Sequence, residues 1–219
     1  MDSEIAPDKA ELLGYLAAEG NEYHYAKTRW RFFSDRSVAG KWYLIHYRQD
    51  AVEFTNLEPT IQQRFLHLLQ SVYGAQRVHF GSRWRVRIRQ KNIVSDLLRH
   101  SRLGSLEWKV PSSLMDSHDH VKAAWCRGYV DGDGTVGNRR VCLDSVNLSG
   151  LNQVKDLLES MAIKSKLNGP YRQLPHLDRY SLVVYNPSLR TFSQLIGFNH
   201  PSKKYRLNQL CGGPVAPQS

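Results

Sequence analysis

Three carboxylates in this 219-residue chain stand where acids are normally disfavoured. Asp131 and Asp133 close the apolar run Trp125-Cys126-Arg127-Gly128-Tyr129-Val130 and lie among Gly128, Gly132 and Gly134. Glu19 closes an earlier run, Leu12-Leu13-Gly14-Tyr15-Leu16-Ala17-Ala18, and precedes Gly20. Both runs read as helices. The C-terminal end of a helix is the negative pole of its dipole, so acids placed there oppose it. Such acids suit a hard divalent cation, which takes carboxylate oxygens as ligands. A plainer reading of Asp131-Gly132-Asp133-Gly134 is a turn that stops the helix.

The spacing favours the chemical reading. Gly128 and Gly132 are four apart, as are Gly14 and Ala18, and each pair leaves one helical face bare. An acid follows the first glycine by five positions in both cases, Glu19 after Gly14 and Asp133 after Gly128. The chain therefore carries an internal repeat. Two bare faces can pack against one another and bring Glu19 and Asp133 together. Adjacent carboxylates repel unless cations lie between them. Oxygen-ligated Mg²⁺ or Mn²⁺ at such a place suits in-line hydrolysis of a phosphodiester. Asp131, which has Ala17 at the matching position, reads as a cap rather than a ligand.

Composition points the same way. The net charge of +10 and pI near 9.6 favour a polyanionic partner, nucleic acid before an anionic membrane surface. No apolar run is long enough to span a bilayer and no signal peptide opens the chain, so an intracellular protein without a membrane partner is expected, cytoplasmic in a prokaryote or organellar. Cys126, Cys142 and Cys211 are odd in number and read as buried thiols, not disulfides or a zinc site.

The elements that must position the acids follow from periodicity. After the first motif helix, with Asp8 as its expected N-cap, comes an aromatic hairpin from Tyr23 to Arg48 and a strand ending at Asn56. A helix starts at Glu58-Pro59, then strands span Gln76–Phe80 and Arg83–Arg89, and a short helix spans Asn92–Arg99. In the second strand Arg83, Arg85, Arg87 and Arg89 alternate with Trp84, Val86 and Ile88, which predicts one basic and one apolar face. After the second motif, a strand ends at Asn147, Ser149 caps a helix, and two strands and a last helix follow. The fold class is α+β, two pseudo-symmetric α-β-β-α-β-β-α halves. Their boundaries are 1–115 and 116–211, with 212–219 a disordered tail. The first half is longer by about 23 residues between motif and asparagine, and the hairpin accounts for them.

Leu12–Gly20 and Cys126–Gly134 together resemble the signature of the LAGLIDADG homing endonucleases, the single-chain, two-motif type. That resemblance implies motif helices packed at the centre and two antiparallel sheets forming a saddle for DNA. It implies a site-specific endonuclease, acting as a monomer on double-stranded DNA with Mg²⁺ or Mn²⁺. Glu19 and Asp133 become the metal ligands. Asn56 and Asn147 fall where a polar residue orders water, though either can instead cap the helix after it. Lys109 and Lys203 match the basic residue near the phosphate, with Lys204 an alternative at the second site, and each lysine can equally be a phosphate clamp. Arg29, Arg31, Arg83, Arg85, Arg87, Arg89, Arg139, Arg140 and Arg172 are expected along the DNA. Glu19 stands where the family more often has Asp, so unequal cutting of the two strands is an expectation. The competing reading is a non-cleaving binder on the same fold, an intron-RNA maturase or a DNA-binding regulator.

Overall fold

The computed structural model describes residues 5–212, apart from 36–37, 75–78, 83, 173–174 and 176. Arg83, the start of the expected strand at Gln76 and nearly all of the expected tail lie outside the described residues. The first half runs α1 (Pro7–Glu19), β1 (Gly20–Asp35), β2 (Val38–Thr55), α2 (Pro59–Tyr73), β3 (His79–Ser82), β4 (Arg85–Ile88) and α3 (Lys91–His100). A short 3-10 turn at Ser112–Leu114 leads to the second half. That half runs α4 (Asp119–Asp133), β5 (Gly134–Gly137), β6 (Arg140–Ser145), α5 (Leu148–Ser160), β7 (Ser165–Tyr171), β8 (Arg179–Tyr185), α6 (Ser188–Leu195) and α7 (Pro201–Leu210). The two sheets are antiparallel and share one topology, β1-β2-β4-β3 and β5-β6-β8-β7. The α-β-β-α-β-β-α order holds in both halves, and the second adds α7.

Local chemistry explains the helix boundaries. Pro7 occupies the first turn of α1, where its missing N–H costs nothing. The N-cap is Ala6 and not Asp8; Asp8 lies inside the first turn and accepts from the Ser71 hydroxyl at 2.5 Å. Glu58 caps α2 by accepting from the Thr60 N–H, and Gly74 ends that helix at a φ of 76° that favours glycine. The α5 cap is Asn147, whose side chain accepts from the Gly150 N–H, and not the expected Ser149.

α1 and α4 pack backbone to backbone at the centre. A Cβ on Gly14 would run into the Trp125 carbonyl, and one on Gly128 into the Glu11 carbonyl. One continuous core joins the halves, with Tyr15, Trp125 and Tyr129 from the two motif helices fully buried in it. Phe54 of β2 stacks on Phe65 of α2 at 4.1 Å and meets Tyr15 edge-on at 5.9 Å. Each sheet turns one face to the helices: Val52, Phe54, Val86 and Ile88 in the first, Val141, Leu143, Leu182 and Val184 in the second. The opposite faces are turned away from the helices, with Ala51 and Glu53 in the first and Ser181 and Val183 in the second still buried there.

The halves differ most in their first hairpins. β1 and β2 stay in register from the Gly20–Phe54 pair to the Phe33–Lys41 pair, while β4 covers only Val52–Thr55 of β2. The rest is a two-stranded ribbon, and Trp30 and Trp42 near its end are 63% and 64% exposed. β5 has only 4 residues and β6 only 6. Among the three free cysteines Cys126 is buried, whereas Cys142 and Cys211 are only half-buried. Among the described residues no helix is long and apolar enough to cross a membrane.

Candidate active site

Glu19 is the last residue of α1, and Asp133 is the last residue of α4. Gly20 and Gly134 close those helices with N–H groups returned to the Leu16 and Val130 carbonyls, and both lead straight into a strand. Each acid thus stands where a central helix turns into a sheet. A Cβ on Gly132 would come within 2.5 Å of the Ala18 Cβ and 2.9 Å of the Glu19 Cγ. The bare glycine makes room for the opposing acid. Both acids line one cavity of about 510 Å³, with Trp108, Asp144 and Ser145 among its other walls.

Burial and mutual repulsion govern their charge. Burial, then the Glu19 charge beside it, pushes the Asp133 carboxyl up to about 7, while Lys203 pulls the other way. Burial also raises Glu19, opposed by Lys203 and by a hydrogen bond from Asn56. The Asn56 Nδ2 donates to Glu19 Oε1 at 3.3 Å, and its Oδ1 accepts from the Glu58 N–H at 2.9 Å. Asn56 therefore touches the acid and also shapes the turn into α2.

Its counterpart does not. Asn147 is buried, accepts from Gly150 N–H at 2.9 Å and donates to the Trp108 carbonyl at 2.7 Å. Both of its polar ends are used by the scaffold. Lys109 is exposed between buried Trp108 and Val110 and is not among the residues lining the cavity. Lys203 reaches in from α7, and its ammonium donates to the carbonyls of Val130 (3.3 Å), Asp131 (2.6 Å) and Gly132 (2.8 Å). It caps the end of α4 directly behind Asp133, and burial lowers its pKa against the pull of Asp131, Asp133 and Glu19. Lys204 is exposed.

Residues 120–197 match the family model described as a LAGLIDADG-like domain. Over 146 residues the chain is 28% identical to the homing endonuclease I-ApeI of Aeropyrum pernix, covering 65% of this chain and 64% of that protein. The match therefore spans less than two thirds of the relative's length. The crystal structure of I-DmoI in complex with DNA and Mn superposes with a TM-score of 0.62 at 14% identity, covering 87% of this chain and 96% of that one. Full-length DUF199/WhiA from Thermatoga maritima superposes with a TM-score of 0.53 at 12% identity, covering 93% of this chain and 58% of that one. The chain carries the two-motif LAGLIDADG fold.

In this LAGLIDADG fold the second motif is set apart by Asp131, read from the sequence as a cap, and by partners that spacing alone did not single out. Asp131, fully buried, accepts from the Tyr15 hydroxyl at 2.8 Å and from the N–H groups of Asn199 (2.9 Å) and His200 (3.0 Å) just before α7. Asn199 also donates to Glu11 at 2.8 Å, and buried Glu11 holds Arg64 through two bonds of 2.9 and 2.7 Å. This network ties α1, α2 and α4 to the start of α7. Asp144 is a third acid at the cavity, and its charge also raises Asp133. Strand alternation places Asp144 beside Cys142 and Arg140 on the open face of β6, the one available signal for it.

The basic face is less bare than the arginine alternation predicts. Glu53 of β2 lies opposite Arg87 in the register and pairs with it, and with Arg85 at 3.5 Å. Arg87 also lies over the Tyr23 ring at 4.1 Å. Glu53 thus supplies part of the anionic counterpart expected from a ligand. Trp84 precedes β4 and is 40% exposed, whereas Val86 and Ile88 are buried as expected. Arg29, Arg31 and Arg85 are exposed on the open side of the first sheet and its ribbon. In the second half Arg139, Arg140 and Arg172 are exposed, Arg139 in the β5–β6 turn at a φ of 55°. Arg89 follows the end of β4 and approaches α3 instead.

The donor set fits a divalent cation held jointly with a substrate. Among the described residues no three His, Cys, Asp or Glu side chains come close enough to hold a metal alone. Mg²⁺ commonly takes one or two carboxylates and completes its shell with water and phosphate oxygens, the arrangement that Glu19 and Asp133 allow. The buried Tyr129 hydroxyl lies beside Asp133 and Ser145, and its contact with Asp133 favours the ionised carboxylate.

Proposed function

We propose that this protein is a divalent-metal-dependent DNA endonuclease that hydrolyses one phosphodiester in each strand of a long duplex target. The observation that carries this reading is the meeting of Glu19 and Asp133, from the ends of two pseudo-symmetric helices, in one cavity between the open sheet faces. When bound, a divalent cation stabilises charge on the phosphate and lowers the pKa of a water molecule. Glu19 and Asp133 would hold Mg²⁺ or Mn²⁺, and Asn56 orients the Glu19 carboxylate through its 3.3 Å bond. Lys203 fixes the end of α4 and favours ionised acids. The arginines of the open faces bind the duplex backbone, which sets position without reading sequence. The protein acts as a monomer, because one chain supplies both acids.

A non-cleaving binder, an intron-RNA maturase or a DNA regulator, is the second reading. It is favoured by the commitment of Asn147 and Lys203 to the scaffold. Incubation with Mg²⁺ and a library of intron-insertion-like duplexes separates the two. The nuclease reading expects a discrete double-strand break that Asp133→Asn abolishes. Tight binding to a target with no cleavage, in wild type as in the variant, would establish the binder.

A further inference from the structure

β4 ends at Ile88 and the chain turns into α3 at Lys91, so among the described residues no strand pairs with the β2 edge beside it from Tyr47 to Asp50. Between that edge and α3 lies a cleft of about 860 Å³ that shares no residue with the acid cavity. Pockets of about 300–1,000 Å³ accommodate ligands of nucleotide size. Lys91, Val94, Ser95, Leu98 and Arg99 line it from α3, a spacing that puts all five on one helical face. Cations stand at both ends of that face, about 12 Å apart along the axis, with Val94 and Leu98 as an apolar floor between them. Arg48 and Arg89 add two further cations, and Tyr47 adds a ring that is 46% exposed.

The charge there is not balanced internally. Asp50 is the single carboxylate of the lining, and it is engaged by His24 at 2.9 Å and Arg48 at 3.7 Å. Arg89, Lys91 and Arg99 have no acidic partner within 4.0 Å among the described residues. The start of α3 compounds this. Its N-cap, Gln90, makes no side-chain cap, and its first turn holds no acid and begins with Lys91. A lysine at the positive pole of a helix opposes the dipole, which favours an anion at that place.

We propose that this cleft is a second nucleic-acid site that takes an unpaired nucleotide. Its base lies on Tyr47, Val94 and Leu98, and its flanking phosphates lie on the Arg89/Lys91 and Arg99 ends. Stacking on an aromatic ring between cationic groups is how proteins hold single strands without sequence preference. The inference does not depend on cleavage, so it is tested in the Asp133→Asn background, where failure of one reading leaves the other standing.

The test measures fluorescence anisotropy of a ten-nucleotide single strand, a matching strand with abasic positions, and a free nucleoside monophosphate. Lys91→Glu/Arg99→Glu is compared with Arg190→Glu/Arg206→Glu, which changes the same charge at exposed sites on α6 and α7. The expected result is roughly a tenfold greater loss of single-strand affinity in the first variant than in the second. Tyr47→Ala should abolish a preference of about fivefold or more for the intact over the abasic strand. Thermal stability of the Lys91→Glu single variant should be equal or higher, since an acid suits that first turn. Equal losses in the two charge variants, or equal binding of abasic and intact strands, would reduce the cleft to diffuse electrostatics. Binding of the monophosphate as tight as that of the strand would make it a metabolite site. Either result overturns the proposal.

Discussion

The ends of the two motif helices share a backbone and differ in what lies behind them. α1 ends in Ala17-Ala18-Glu19, and its acid is steadied by Asn56 from the neighbouring turn. α4 ends in Asp131-Gly132-Asp133, and its acid rests on a chain of dependencies that the first half lacks. Asp131 holds the N–H groups that open α7, α7 carries Lys203, and Lys203 caps the carbonyls of α4. Ala17 has no side chain that could start such a chain. Among the described residues the first half has no counterpart of α7, and Lys109, the residue expected to match Lys203, is exposed. A duplicated frame therefore conserves where the acids meet, while each copy acquires its own means of holding its acid.

The largest effect should come from the acids themselves. Glu19→Gln and Asp133→Asn should each slow complete double-strand cleavage by about a thousandfold or more, the scale of losing metal-supported charge stabilisation. If the two sites are chemically independent, each variant leaves a nicked duplex with the break in a different strand. Strand-specific end labelling reads this directly, and the same nick from both variants would break the comparison. Next comes the frame that both halves share. Gly128→Val and Gly14→Val force a side chain into a backbone carbonyl of the facing helix, so each should cost about 3 kcal/mol or more. Thermal denaturation measures it, and a variant as stable as wild type would show that the helices do not meet as closely as these contacts require.

How much of this was legible in the sequence depended on range. The Gly14/Ala18 and Gly128/Gly132 spacing is a local property of a helix, and it was sufficient to place Glu19 beside Asp133. The long hairpin followed from the unequal sequence separation of the repeats. Glu53 as the partner of Arg85 and Arg87 was not legible, because it depends on the β2–β4 register and not on the arginine alternation. Strand alternation also placed Trp84 on the apolar face, but β4 starts only at Arg85 and leaves that ring exposed. Lys203 on the α4 carbonyls depends on how α7 docks, and that is set by a buried aspartate 68 positions from Asn199 in the chain. An asparagine before a helix has two uses, and only the surrounding contacts separated Asn56 from Asn147.

Lys203 is the point where the second end can be made to resemble the first. Lys203→Met keeps much of the side-chain volume and removes three charge-assisted bonds, a loss of at least roughly 1.5–3 kcal/mol, the scale of one such bond. The melting temperature should fall, and cutting at the Asp133 site should fall further than at the Glu19 site, so that nicked intermediate accumulates. Glu19 also feels the Lys203 charge, so its site should weaken too, but without losing a cap on its own helix. Equal slowing of both strands would mean that Lys203 serves the pair through its charge alone.

The two asparagines give the smallest and most discriminating contrast. Asn147→Ala removes a helix cap and the bond to the Trp108 carbonyl, and should cost about 1–2 kcal/mol of stability while leaving the rate of cleavage nearly unchanged at temperatures where it is folded. Asn56→Ala removes the bond to Glu19 along with the turn contact to the Glu58 N–H. Its melting temperature should move less, because Glu58 still caps α2, while single-strand cutting at the Glu19 site slows by roughly tenfold. Asn56→Asp separates the two jobs of that residue. An aspartate still accepts the Glu58 N–H but sets a second negative charge against Glu19, so the turn should hold while charge repulsion lowers the melting temperature at neutral pH more than at pH 4, and the metal concentration needed for half-maximal cutting rises. If Asn56→Asp behaved as wild type in cutting, the 3.3 Å contact would have no part in holding the acid, and both asparagines would serve the scaffold alone.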